Sequence, residues 1–124
     1  HHRWATGFLV DNCEVPEGGI DFMNRGNMGT GHGWTVGWAV AWNCTAKSFV
    51  IQQPPGVCNW AIGCIGKQIK SPMPQLQVAN HSAKNRTLPQ GWIESPGTRV
   101  EPASLYLAQL QARLGAAAVK NIGF

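Results

Sequence analysis

The chain has 124 residues, a formal charge of +4 and only 13% charged residues, against roughly 25% in an average soluble domain. That length allows one domain. No apolar run approaches the roughly 18 residues of a membrane span, and 44% hydrophobic content with six tryptophans argues against disorder. The ten basic residues are too scattered for a dedicated nucleic-acid binder.

The sequence opens on His1-His2-Arg3-Trp4, with neither an initiator Met nor a signal peptide. It therefore reads as a piece of a longer protein whose partner is its own upstream part. Three look-alike segments follow: Gly7-Phe8-Leu9-Val10-Asp11-Asn12-Cys13, Trp38-Ala39-Val40-Ala41-Trp42-Asn43-Cys44 and Asn59-Trp60-Ala61-Ile62-Gly63-Cys64. Each is a short apolar run closing on a small polar residue or Gly and then Cys. Between them, 20–24 and 48–52 are rich in β-branched and aromatic residues and bounded by Gly, Pro and Asn, which is how strands read. The pattern predicts an all-β fold over 1–70. The repeated ending favours a solenoid, with a sandwich as the alternative.

From 71 to 101 prolines break any regular element, and the segment reads as a long irregular loop. Residues 102–124 hold the expected C-terminal helix and tail. Pro102 suits the first turn, Leu107, Leu110 and Leu114 share one face, and Gly115 closes the helix. This helix is expected to pack on the solenoid or cap its open end.

Four cysteines without a C-x-x-C spacing argue against a zinc site, and no metal ligand set is predicted. If the three segments stack, Cys13, Cys44 and Cys64 form one interior ladder. They are then small buried hydrophobes, or two of them form a disulfide joining neighbouring coils. Between Asn24 and Trp34 lies a Gly-rich loop with Arg25, Asn27 and His32. It fits neither nucleotide-binding fingerprint. It is either a set of tight turns whose His and Asn satisfy local backbone groups or a binding loop. Trp34, Trp38 and Trp42 are evenly spaced, which on an extended chain puts them on one face. At least three of the six tryptophans are expected in the core, leaving one or two to stack on a sugar ring.

Read together, His1-His2-Arg3-Trp4-Ala5-Thr6-Gly7, the 24–34 loop, Trp42-Asn43-Cys44, Gln53-Pro54-Pro55, the segment 59–64 and the tail 102–115 resemble the C-terminal part of secreted bacterial right-handed parallel β-helix proteins. These are relatives of pectate-lyase-type and other carbohydrate-active β-helices. The resemblance implies a right-handed parallel β-helix fold, a polysaccharide partner and an extracellular or periplasmic location. Composition already argues against nucleic acid and membrane as partners.

Two functions compete. In the first, the chain is a carbohydrate-binding module, or the sugar-binding part of a larger enzyme, and Trp4, Asn24, Arg25, Asn27, His32 and Trp34 contact the glycan. The second is a polysaccharide lyase acting on uronates by β-elimination. Arg3 or Arg25 would clamp the sugar carboxylate, and His2 or His32 would take the adjacent proton. No cofactor is required, except that a lyase of this class would use calcium on Asp11, Glu14, Glu17 and Asp21. A two-carboxylate hydrolase would have to draw on Asp11 and Asp21.

Overall fold

The computed structural model describes residues 4–70 and 88–124. Three strands open the chain: β1 (Ala5–Thr6), β2 (Leu9–Asp11) and β3 (Glu14–Phe22). After a short turn, α1 (Met28–Gly31), the series repeats as β4 (Val36–Gly37), β5 (Val40–Trp42) and β6 (Thr45–Ile51). A third pass supplies β7 (Trp60–Ile62) and β8 (Ile65–Gln68), and a fourth supplies β9 (Trp92–Glu94). Two helices, α2 (Leu105–Leu114) and α3 (Ala116–Asn121), end the chain.

These strands form three parallel sheets, ordered β1-β4, β2-β5-β7-β9 and β3-β6-β8. Each sheet takes its strands from consecutive passes, in chain order, and only β2-β5-β7-β9 has one from all four. The three look-alike segments are equivalent in space: Leu9 pairs Val40, and Val40 pairs Trp60. The register continues from Trp60 to Trp92. Thus the segment expected to be irregular over 71–101 contains a strand. Its apolar core is only Trp92-Ile93, too short to stand out in sequence, and the edge of β7 recruits it. Residues 71–87 of that expected loop lie outside the described residues.

Corners explain why the repeat ends as it does. Asn12, Asn43, Gly63 and Ser95 follow β2, β5, β7 and β9 and all take positive φ, between 48° and 65°. Glycine enters this region freely, and Asn with less strain than most residues. The next residue, Cys13, Cys44 or Cys64, then turns into the following strand or toward it. Gly7 and Trp38 make the preceding corner the same way, with φ of 65° and 57°.

The interior is narrow. Ala39, Ala41, Ala46, Ala61, Cys44 and Cys64 are buried at its centre, and Ile20, Phe22, Phe49 and Ile51 fill the rest. None of the six tryptophans belongs to this core, contrary to expectation. The positions that face inward on consecutive passes (Val10, Ala41, Ala61, Ile93) leave no room for an indole. Nor do Trp34, Trp38 and Trp42 share one extended face, because the positive-φ corner at Trp38 falls between them.

Buried amides fasten the passes together. Asn59 accepts from Ala39 N at 3.0 Å and donates to Val36 O and Gln52 O. Asn43, 1% exposed, accepts from Val100 N at 2.8 Å and donates toward Val100 O, Pro102 O and Ala103 O. Residues 95–104 therefore run back across the corners as a strap. Gly97 N donates to Cys64 O at 2.8 Å. Arg99 then reaches Asn43 O, Asn12 Oδ1 and Thr45 Oγ1.

The strap delivers α2 to β2. Helix α2 begins at Leu105 rather than at Pro102, because Ser104 is the N-cap and accepts from Leu107 N at 3.1 Å. Pro102 stays outside the helix, its carbonyl taken by Trp42 Nε1 at 2.8 Å. Asp11 completes the cap, accepting from Ser104 Oγ, Leu105 N and Tyr106 N. A carboxylate there also meets the positive end of the helix dipole. So α2 packs beside β2, the edge strand of its sheet. Leu107 and Leu110 are half-buried, whereas Leu114 points to solvent. Gly115 closes the helix as expected, donating to Gln111 O at 2.8 Å.

Asn43→Ala should lower unfolding free energy by about 2–4 kcal/mol, since the strap's Val100 N–H and carbonyls lose buried partners. Urea denaturation measures it. Lys47→Ala, on an exposed position of β6, should stay within about 0.5 kcal/mol of the parent.

Candidate functional site

Sheet β2-β5-β7-β9 presents its aromatic side outward. Because Ala41 and Ala61 face the core, their strand neighbours point away from it. Trp60 and Trp92 therefore occupy one outer column, in direct register. Trp38 joins them from its corner, its ring stacked on Trp60 with centroids 5.8 Å apart and planes 28° apart. Offset stacking of this kind holds both rings in place. Trp38 is 50% exposed and Trp92 58% exposed. Glu94, two residues along the same face, accepts from Trp92 Nε1 at 3.1 Å. That bond fixes the orientation of an open indole and places a carboxylate at its edge.

Sequence reasoning missed this strip. Trp38 was grouped with Trp34 and Trp42 by spacing, and Trp60 and Trp92 had no such grouping. The legible signal was the alignment of the look-alike segments, which sets Trp60 beside Val40 and its corner.

The residues expected to bind sugar lie elsewhere, and most are brought together. His2 and Arg3 lie outside the described residues. Trp4 N donates to Trp34 O at 3.1 Å, and its ring lies over Gly37. Asn24 and Trp34 form an antiparallel bridge. Arg25 N donates to Gly33 O at 2.7 Å, closing the loop. Within it, Asn24 Oδ1 accepts from Gly26 N at 2.7 Å, as the turn reading has it. His32 is 7% exposed, and its ring sits against Gly29, where a Cβ would collide with it. A proton-abstracting base must reach its substrate, and this imidazole is turned inward. Asn27 is exposed at the loop tip.

Arg25 lines a cavity of about 450 Å³ with Asp21, Phe8, Phe22, Met23 and Met28. Loss of hydration there holds the Asp21 carboxyl above the usual carboxylate range, opposed by a hydrogen bond from the Val50 backbone. The acids expected to gather for calcium are dispersed. Asp11 caps α2, Glu14 lies 3.8 Å from Arg99, and no group of three or more His, Cys, Asp or Glu converges among the described residues.

Cys13, Cys44 and Cys64 align as expected, but only Cys44 and Cys64 are interior, Cys13 being exposed, and all four cysteines are free thiols. Partial loss of hydration, with Cys44 and Asp11 nearby, raises Cys13. Cys44 is pushed far up by its hydrogen bond to Cys64 and by burial. That same hydrogen bond favours the Cys64 thiolate, bringing it down to about 7 with help from Arg99.

No family model matches the sequence, and no match was found among curated proteins or solved structures. The site is therefore read from its own geometry.

Asp21→Asn should raise stability at pH 7. A carboxyl held above its unfolded value contributes stability below that value and loses it as pH rises through the folded value. The asparagine variant should escape that loss, so its urea midpoint should fall less than the parent's between pH 4 and pH 7. Equal changes in the two proteins would refute the assignment.

Proposed function

We propose that the chain forms turns of a right-handed parallel β-helix and binds a polysaccharide through the Trp38–Trp60–Trp92 strip. Support for the β-helix comes from strand order. Three parallel sheets take their strands from successive passes in chain order, and β2, β5, β7 and β9 stay in register. Parallel connections overwhelmingly take the right hand.

The aromatic strip is the observation that carries the binding reading. A sugar ring presents an apolar C–H face that stacks on an open indole, and neighbouring polar groups take its hydroxyls. Trp92 with Glu94 supplies both. Trp38 adds a second argument. Its backbone holds a bulky side chain at positive φ where the first pass has Gly7. Such conformations cost roughly 1–3 kcal/mol and cluster at functional sites. Keeping a strained, half-exposed tryptophan where glycine fits makes sense if the ring is used. A net charge of +4 favours an anionic, uronate-containing glycan by long-range attraction. Its place of action is extracellular or periplasmic, in keeping with the resemblance to secreted β-helices.

Affinity electrophoresis in gels containing pectate, alginate, xylan or a soluble cellulose tests this. The parent protein should be retarded by at least one glycan, with uronate polymers foremost. Trp92→Ala and Trp38→Gly should migrate freely. Trp38→Gly should also keep stability within about 1 kcal/mol of the parent, because glycine relieves the corner. Absence of retardation in every gel would overturn the reading. Retention lost in Trp4→Ala and Arg25→Ala but kept in the strip variants would move the site to the 24–34 loop. Ultraviolet absorbance from unsaturated uronates, followed with and without calcium, separates a lyase from a binder.

A further inference from the structure

Cys13, Cys44 and Cys64 occupy the same place on three successive passes. Asp11 pairs Trp42 and Glu14 pairs Thr45 on either side of the first two. Trp42 pairs Ile62 and Thr45 pairs Ile65 on either side of the second and third. Adjacent parallel strands lie about 4.8 Å apart, inside the roughly 4.4–6.8 Å range of Cα separations that a disulfide spans. Side chains agree with the backbone. Cys44 Sγ lies 3.2 Å from Val10 O of the first pass, and Cys13 Sγ lies 3.4 Å from Asp11 O.

Access differs sharply along the ladder. Cys44 and Cys64 are buried, whereas Cys13 is exposed. Cys13 lines a groove of about 520 Å³ between the first pass and the C-terminal helices, with Asp11, Asn12, Tyr106, Leu107 and Phe124. That volume is in the range that holds small molecules. Cys58 lies outside the ladder, half-buried, with its Sγ on Asn59 O.

We propose that Cys13 is a thiol-modification site that accepts a small-molecule disulfide, such as oxidised glutathione, and passes the bond inward to form a Cys13–Cys44 disulfide joining the first two passes. In the first step the Cys13 thiolate attacks the glutathione S–S bond. A Cys13–glutathione bond forms, and one glutathione leaves as the thiolate and takes up the proton released by Cys13. In the second step Cys44 gives its proton to the neighbouring Cys64 thiolate and attacks the Cys13 sulfur. The Cys13–Cys44 bond forms, the second glutathione departs, and the Cys44 proton ends on it by way of Cys64. Two protein thiols are oxidised and one glutathione disulfide is reduced to two thiols.

The test incubates the folded 124-residue chain with oxidised glutathione, then measures intact mass and maps tryptic peptides under non-reducing conditions. Tryptic cleavage separates Cys13 (4–25), Cys44 (26–47) and the Cys58/Cys64 pair (48–67). The expected product is about 2 Da lighter than the reduced chain, with 4–25 linked to 26–47. Cys44→Ala should stop at the first step, holding glutathione on Cys13 as an adduct of about 305 Da. Cys13→Ala should stay reduced at Cys44, and Cys58→Ala should behave as the parent. Far-ultraviolet circular dichroism on each variant verifies that it is folded. A parent chain that stays fully reduced, or that keeps glutathione on Cys13 without a crosslink, overturns the proposal. So does a crosslink from 26–47 to 48–67 that forms equally fast in Cys13→Ala.

Discussion

Everything in this molecule hangs on the in-register stacking of its corners. A parallel strand of two or three residues makes too few hydrogen bonds to hold itself. Each pass persists because the next repeats its shape, so backbone N–H and C=O groups find partners along the stack. Asn12, Asn43, Gly63 and Ser95 turn the chain by the same left-handed step, and β2, β5, β7 and β9 consequently land in register. A side chain that strained this step would misalign the pass that carries it. The interior then has to be filled by residues small enough for that spacing, which is why alanine and cysteine occupy its centre.

The strap follows from the same geometry. Stacked corners leave a column of carbonyls and amides along one side, and residues 95–104 run across it, satisfying those groups and being satisfied by them. Asn43 is the pivot, buried and bonded on both its oxygen and its nitrogen. Asp11 then receives the first turn of α2, so the C-terminal helix is tied to the first strands of the chain. A short stack of passes with narrow contents gains from such a tie, because it couples the last-formed elements to the first. The outer face, relieved of any packing duty, is free to carry tryptophans.

Much of the stacking was legible in the residues. The runs ending in Asn12-Cys13, Asn43-Cys44 and Gly63-Cys64 announced equivalent strands, since a small or amide residue before each Cys marks a turn of fixed kind. Ile20 and Phe49, in the other expected strands, pair directly. The stop at Gly115 was equally plain, because a glycine after a leucine-rich helix has one common use. The start of that helix was not. Pro102 is a good first-turn residue in isolation, but its carbonyl is claimed by Trp42 sixty positions earlier. Arg99 went unnoticed for the same reason: its partner Asn12 is 87 residues away. Arg3 and Arg25 stand out in sequence only because histidines lie close to them along the chain.

The sequence by itself determined the local currency of the fold: which runs are extended, where they close, and which cysteines align. Those properties depend on neighbours within a few positions, so composition and spacing carry them. Tertiary structure decided which side of each strand faces out, and therefore that the tryptophans line the surface rather than the core. It also decided that Trp38, Trp60 and Trp92, spread over more than fifty positions, share one strip, while His32 turns inward against Gly29. Such outcomes depend on how closely successive passes approach. The centre of that narrow interior is closed by alanine and cysteine, with Phe22 and Phe49 beside them, and the tryptophans are left outside it.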